Sequence, residues 1–472
     1  MFKLTDDYEQ NVEFFDEKLN VKNNFDILKK KLKIGSDDVT LYYIDGFVKD
    51  TVMQKLMMHF LSMDGVGSGD NAAQCFANEK LPYVEVEATQ DVNIMLKMVM
   101  SGASIMLAEG FGSWAIVIDS RSYPARDTAE PGDDKVMRGA RDGFVETLIF
   151  NTALIRRRIR DTSLVMNYMS IGKSSQTDVV ICYLKDKADA EYVEQLKDKL
   201  SSIKTESLTM GHESLAECLI PNKWYNPFPK IRTTERPDSA VAQLLEGSVL
   251  IICDNTPEVM VLPTTIFDFL QETNDYYFPP LTGSYLRIVR YTVFILTLLL
   301  IPTWYLLISN PQILPPWLGF VVPSDTGKLP ILVQLILVEF LIDGLRMASM
   351  NTPDMLSNSL SIVGGLILGD FAVEIGWLIP EVILYMAFVA IANFTQRNYE
   401  LGYAFKFMRI LVLLLTAIFN VWGYIGGLIL VAILICTNKT INGKRRYLYP
   451  LIPFNARAFK SMIVRVKKRD VY

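Results

Sequence analysis

Leu329–Met350 reads LPILVQLILVEFLIDGLRMASM. The stretch meets the roughly 20 predominantly apolar residues that a bilayer-crossing helix requires, yet it carries Glu339, Asp343 and Arg346. On a helix these three fall at i, i+4 and i+7, along one face. A charge at the bilayer centre costs roughly 2.5–3.5 kcal/mol on insertion scales, so this face predicts water or a partner rather than lipid. Two readings compete: the face lines an ion path, or a Glu/Arg ladder pairs with itself and glues helices together. The stretch sets the fold class, an α+β protein with an α-helical polytopic membrane domain.

Outward from it, the composition changes sharply near Tyr291. Tyr291–Ser309 predicts a first span, flanked by Arg287 and Arg290 and followed by a proline-rich external loop at Asn310–Pro330. Leu329–Arg346 returns inward, Ser359–Leu378 goes out, Ile379–Thr395 comes back, and Ala404–Ile418 with Val421–Thr437 makes a final pair broken near Asn420 and Gly423. About six membrane segments keep both ends on one side; several are short, so the last four could instead form two hairpins. Ser357, Ser361, Gly365 and Gly369 recur every four residues, a spacing that suits close helix packing. Asp370 and Glu374 continue that pattern, with Glu381 beyond. Counted against Arg346 as the one intramembrane arginine, these acids predict a surplus of negative charge that favours cations, unless they sit at headgroup level.

The tail after the last span, 438–472, holds ten bases against the single acid Asp470. Beside a membrane, such a tail reads as cytoplasmic, by the positive-inside rule and by attraction to anionic headgroups. No nucleic-acid motif accompanies it, so nucleic acid is not expected as a partner. The N-terminus lacks a basic region followed by an apolar run, so no cleavable signal is expected and the first 280 residues are predicted to stay in the cytoplasm.

The remaining length divides into a helical lead-in over 1–37, an α/β subdomain with linking helix over 38–161, and a second α/β subdomain over 162–286. The membrane domain covers 287–437 and the basic tail 438–472. The glycine-rich Asp64–Asn71 follows a helix and lacks the lysine ending of a phosphate loop, so nucleotide binding is not predicted. Arg138–Asp161 predicts a helix whose end is crowded by Arg156, Arg157, Arg158 and Arg160. These either complement the negative helix end or face a subunit or headgroup interface. Five scattered cysteines and two histidines give no metal-ligand spacing. No nucleophile–base constellation appears, so neither catalysis nor a cofactor is expected.

Long motifs carry a resemblance. VMRGARDGFVETLIFNTALIRRRIRD at 136–161, TERPD at Thr234–Asp238, LLEGSVLIICDNTPEVMVLPTTIFDFLQ at Leu244–Gln271 and YPLIPFN at Tyr449–Asn455 are similar to the A-subunit family of spore germination receptors. The likeness runs from about Asp38 to Pro453; Thr395–Gln396–Arg397 departs from it, where relatives are expected to carry a proline. The resemblance implies a cytoplasmic two-part domain with a membrane domain in the endospore inner membrane. It also implies a homo-oligomeric, pentameric cation channel assembled with a transporter-like B-type subunit and a lipoprotein. The germinant pocket would belong to the B-type partner, so no small-molecule germinant is expected on this chain, whose role would be to promote or amplify germination. Glu339, Asp343 and Arg346 are then the pore-lining candidates; the alternative is a non-conducting scaffold that clusters receptors.

Overall fold

The computed structural model describes residues 4–69, 71–81, 85–121, 139–220, 225–351, 371–396, 398–438, 440–441 and 447–464. The chain forms two compact units, Met1–Asn222 with Ile231–Thr264, and Lys223–Lys230 with Thr265–Tyr472. The division thus falls at Thr264, ahead of the expected 286. Its cause is apolar: Phe228, Ile266, Phe269 and Leu270 are buried in one cluster with Phe294 and Phe405.

The first unit is one fold written twice. Its first copy contains α1 (Tyr8–Lys18), β1 (Ile27–Ile34), β2 (Asp37–Ile44), α2 (Asp50–Leu61), β3 (Val86–Thr89), α3 (Val92–Met100), β4 (Ser104–Ala108) and β5 (Ala115–Ile118). The second contains α4 (Leu148–Arg158), β6 (Leu164–Ile171), β7 (Thr177–Leu184), α5 (Ala190–Ser201), α6 (His212–Leu219), β8 (Arg232–Thr234), α7 (Pro237–Leu245), β9 (Val249–Cys253) and β10 (Val259–Leu262). The sheets run β1-β2-β4-β5-β3 and β6-β7-β9-β10-β8, every pair antiparallel.

Local detail repeats as well. Asn11 exchanges hydrogen bonds with the backbone N–H and C=O of Thr5, at 2.9 and 2.7 Å, and Asn151 does the same with Val145, at 2.8 and 2.6 Å. Both asparagines are buried, and each fixes the chain entering its helix by using both ends of its amide. Helices α3 and α7 each end through a glycine at positive φ, Gly102 at 98° and Gly247 at 95°, in the six-to-one capping pattern that only such a residue closes cheaply.

Alternation along the strands supplies the cores. Tyr42, Ile44, Ile105 and Val117 face α1 and α3, whereas Val39, Leu41, Met106 and Ile116 face α2. The lead-in is only partly helical, because ILKKKLKI becomes β1. Its Ile27 and Ile34 are buried while its lysines line the sheet edge, where they discourage further pairing. The helix expected over Arg138–Asp161 is confined to Leu148–Arg158, and α5 is capped by Asp189, whose carboxylate accepts from the N–H groups of Glu191 and Tyr192.

The second unit is helical: α8 (Pro280–Ser309), α9 (Ile331–Asn351), α10 (Pro380–Phe394), α11 (Tyr399–Thr437) and α12 (Ala456–Ile463). Among the described residues, α8 and α11 are long and apolar enough to cross a membrane. Helix α11 is broken at Asn420, with φ 53° and ψ −131°. The chain reverses there, since a Cβ on Gly423 would lie 1.8 Å from Leu415 O and one on Gly427 would lie 3.2 Å from Val412 Cα. Only glycine admits this approach of two antiparallel arms. Asn420 exchanges amide hydrogen bonds with Asn310, so the hairpin tip is level with the C-terminal end of α8. Ser359–Leu378 lies mostly outside the described residues, as do Asp370 and the packing row Ser361, Gly365 and Gly369.

Candidate membrane charge cluster

Helix α9 runs antiparallel to the first arm of α11, and the two bring their charges into register. Glu339 faces Arg409, Asp343 faces Lys406, and Arg346 faces Tyr399 and Tyr403. Arg409 Nη2 donates to Glu339 Oε1 at 2.5 Å, and its Nη1 donates to the carbonyl of Thr297 on α8 at 3.0 Å. Lys406 bonds Asp343 and lies 3.4 Å from Glu339. Glu339 is 8% exposed, and Lys406 and Arg409 are buried with it. Such a group of charges is tolerable in an apolar setting only because each finds an opposite partner.

Arg346 leaves the ladder for an aromatic surround. Its Cζ lies 4.4 Å from the Tyr399 ring centre, 5.2 Å from Tyr403 and 5.8 Å from Phe394. The delocalised guanidinium suits these ring faces better than a compact ammonium would.

The ladder was half visible in the sequence. Lys406 and Arg409 sit in Ala404–Ile418, which the sequence predicts as a membrane segment, and the expectation of Arg346 as the one intramembrane arginine leaves them out. Among the described residues, two acids meet three bases, a formal net charge of +1, so the expected surplus of negative charge is not seen around α9. The signal was present: Tyr399, Tyr403, Lys406 and Arg409 follow at four, three and three residues, one stripe of a helix. The self-pairing foreseen within α9 is instead pairing between helices.

Beside the ladder lies a crevice of about 20 Å³, lined in part by Glu339, Asp343, Arg346, Asn393, Tyr403 and Lys406. That volume holds about one water. Among the described residues, Asn393 Oδ1 points into a buried setting without a protein partner, and neither amide atom of the buried Gln396 finds one. Orphan polar atoms of this kind are ordinarily satisfied by water. Glu374 and Glu381 belong elsewhere: they flank the turn at Gly376–Ile379, where Gln334, nine residues before Asp343 on α9, accepts from the Ile379 N–H at 3.0 Å. The structure does not bring them to the ladder.

The arginine group of α4 also divides. Arg156 is 0% exposed and faces inward; its Nη2 donates to both oxygens of Asp26, at 3.0 and 2.8 Å, its Nε donates to Asp26 Oδ2 at 3.0 Å, and its Nη1 donates to Leu164 O at 3.1 Å. Because Asp26 precedes β1 and Arg156 ends α4, the pair ties the two repeats together. Arg156 is therefore withdrawn from the expected interface. Arg158 binds Asp142 and the Leu154 carbonyl, while Arg157 and Arg160 are exposed.

Known proteins resemble this chain over nearly its whole length. The sequence profile of the family described as Bacillus/Clostridium GerA spore germination protein matches residues 14–471. Stage V sporulation protein AF of Bacillus subtilis (strain 168) is 36% identical over 97% of this chain and 92% of its own length. Spore germination protein KA of the same organism is 27% identical over 95% of this chain and 83% of its own. The crystal structure of the N-terminal domain of the A subunit of the Bacillus megaterium spore germinant receptor GerK3 covers 56% of this chain and 96% of that domain, at 26% identity and a TM-score of 0.42. A match that enters within α1 and runs through both repeats, the charge ladder and the tail covers nearly the whole architecture: the chain belongs to the Bacillus/Clostridium GerA family of spore germination proteins.

Proposed function

We propose that this chain is a non-catalytic membrane subunit of a spore germination complex, oligomerising in the endospore inner membrane to open a path for cations. The observation that carries the reading is the crevice at the ladder: five charged side chains and the Asn393 amide, whose Oδ1 has no partner among the described residues, converge among apolar helices around a volume suited to a single water. Such an arrangement suits a closed constriction, in which Arg409 and Lys406 hold Glu339 and Asp343 until the helices part. Once released, the two acids are the groups that attract cations.

Six crossings accord with the hairpin at Asn420, whose arms of 20-odd and 17 residues correspond to about 30 and 25 Å at 1.5 Å per residue. The ten bases of the tail support an orientation with both ends toward the spore core. A transporter-like B-type subunit and a lipoprotein complete the proposed assembly, and a pentamer is its proposed stoichiometry.

The test is cation release from vesicles holding the reconstituted complex. Replacing Glu339 and Asp343 by Gln and Asn is expected to change conductance or ion preference. Unchanged flux from an intact assembly would remove the reading. A second reading, a scaffold whose ladder only joins helices, is favoured by one observation: the charges close on each other within a single chain. The exchange Glu339→Arg with Arg409→Glu separates the two, since a scaffold tolerates reversed pairing and a cation path does not.

A further inference from the structure

After α11, the described residues Tyr447–Val464 lie at the base of α8. Tyr447 is buried, its hydroxyl donating to Pro229 O at 2.8 Å and its carbonyl accepting from Ile266 N–H at 2.9 Å. A run of turns over 447–454 leads to Asn455, whose side chain caps α12 by accepting from Ala458 N–H at 3.2 Å. Helix α12 lies against α8, with Met462 buried and its carbonyl accepting from Arg287 Nη1 at 3.3 Å.

The outer side of this element is apolar. Ile452 is 53% exposed and Phe454 68%, with Leu451 and Val464 also exposed; the Phe454 and Phe459 rings stand 6.1 Å apart. Lys460 is exposed on the same short helix, and the sequence around it is the base-rich 438–472. Large exposed apolar groups interleaved with bases are the composition of a segment that lies in a bilayer surface.

Its depth is fixed by α8. That helix has 30 residues, about 45 Å, whereas hydrocarbon takes about 20 of them. The surplus lies at the end that holds Arg287, where Tyr276, Tyr277 and Tyr285 are exposed, as tyrosines are at headgroup level. Contact with Arg287 sets α12 at that same level.

We infer that Leu451–Val464 is a surface anchor for anionic lipid, in which Leu451, Ile452 and Phe454 enter the acyl boundary and Lys460 with its neighbouring bases binds headgroup phosphates. This rests on the proposed membrane insertion of the second unit. An acidic protein partner is the rival occupant. The patch offers inserted hydrocarbon and dispersed positive charge together, which a lipid surface matches without a shaped counterpart.

The test uses the full chain in vesicles, with the exposed Cys75, Cys218 and Cys436 replaced by serine and the buried Cys182 and Cys253 kept. A nitroxide is placed at Phe454→Cys and, separately, at the exposed mid-arm Ile429→Cys, and its collisions with oxygen and with an aqueous nickel chelate are compared. With phosphatidylglycerol present, residue 454 is expected to be oxygen-rich and nickel-poor, reverting toward water in pure phosphatidylcholine or when salt rises from about 0.1 to about 1 M. Lys460→Gln with Arg465→Gln is expected to lower the docked-to-free ratio roughly 30-fold, from about 1 kcal/mol per base. A label at 454 in water in every vesicle, with 429 in lipid, overturns the anchor alone; shielding at 454 that ignores lipid charge and salt overturns it in favour of a protein neighbour. A label at 429 in water overturns the anchor and the membrane reading together.

Discussion

Arg156–Asp26 and the Glu339–Arg409–Lys406–Asp343 ladder are both buried ion networks, but the alternatives open to their charges differ. In the first unit the alternative to the pair is water, which would hydrate both groups well, so the pair carries a desolvation penalty that its geometry must offset. It does so with three contacts to one carboxylate, a fourth to Leu164 O and a further contact from Nη1 to Met100 Sδ at 3.8 Å. In the second unit, read as membrane-embedded, separated helices would leave the same charges in lipid. Pairing is then the less costly of two poor environments. A buried ion pair is therefore optional in one unit and obligatory in the other.

The largest effect should come from breaking the ladder. Arg409→Leu leaves Glu339 buried with Lys406 at 3.4 Å and strips the donor from Thr297 O. Because Lys406 must then serve both Glu339 and Asp343, we predict a loss of roughly 3–5 kcal/mol, the range for breaking a buried pair, read as collapse in the yield of monodisperse protein from membranes. Restored yield in Arg409→Leu with Glu339→Leu would identify the stranded carboxylate as the cause. Parent-like yield from the single variant would refute the obligatory pairing.

Arg156→Ala comes next, at about 3–5 kcal/mol by the same mechanism, followed by urea unfolding of the first unit's tryptophan signal. The comparison sharpens in the double variant Arg156→Met with Asp26→Leu. Because water is the alternative there, an apolar pair of similar volume is expected to be neutral or to stabilise by about 1–4 kcal/mol. A large loss would mean that the pair does more than fill space between the repeats. Arg346→Lys should cost less, about 0.5–2 kcal/mol, from weaker contact with Tyr399 and Tyr403. Thermal unfolding in detergent measures it, and a variant as stable as the parent would reduce the aromatic surround to packing.

These two networks also mark how far the sequence could be read. The strands of the first unit are legible because runs of β-branched and aromatic residues leave a local trace: DVTLYYI and VLIIC occur where β2 and β9 lie. ILKKKLKI misleads, since its lysines suggest a solvated helix and only pairing with β2 makes it an edge. The repeat is nearly invisible, because conserved geometry requires little identity; Asn11 and Asn151 show it only once their amides are seen to bridge the chain six residues back. At the ladder, one helix's charges were conspicuous and the other's were diluted among leucines. Arg156 gave no signal at all, since its partner is 130 residues away and three neighbouring arginines suggest a solvated helix end.

A partly exposed pair completes the series and should show the smallest effect. His212 begins α6, with Nε2 3.1 Å from Glu213 Oε1 and 3.5 Å from Glu258 Oε2. The hydrogen bond from His212 holds the Glu213 carboxyl below its usual range, against an opposing contribution from partial burial and with help from the positive charge of His212. A carboxyl lowered in the folded state adds stability that is present above the unfolded value of about 4.3 and lost as pH falls through the folded one. Glu213 remains more than half exposed, so screening keeps the contribution below about 1 kcal/mol. Glu213→Gln is therefore expected to be slightly less stable than the parent near neutral pH, with the gap closing as pH falls below about 4. A gap that widened toward acid, or that exceeded the cost of Arg156→Ala, would break the ordering by solvent on which the comparison rests.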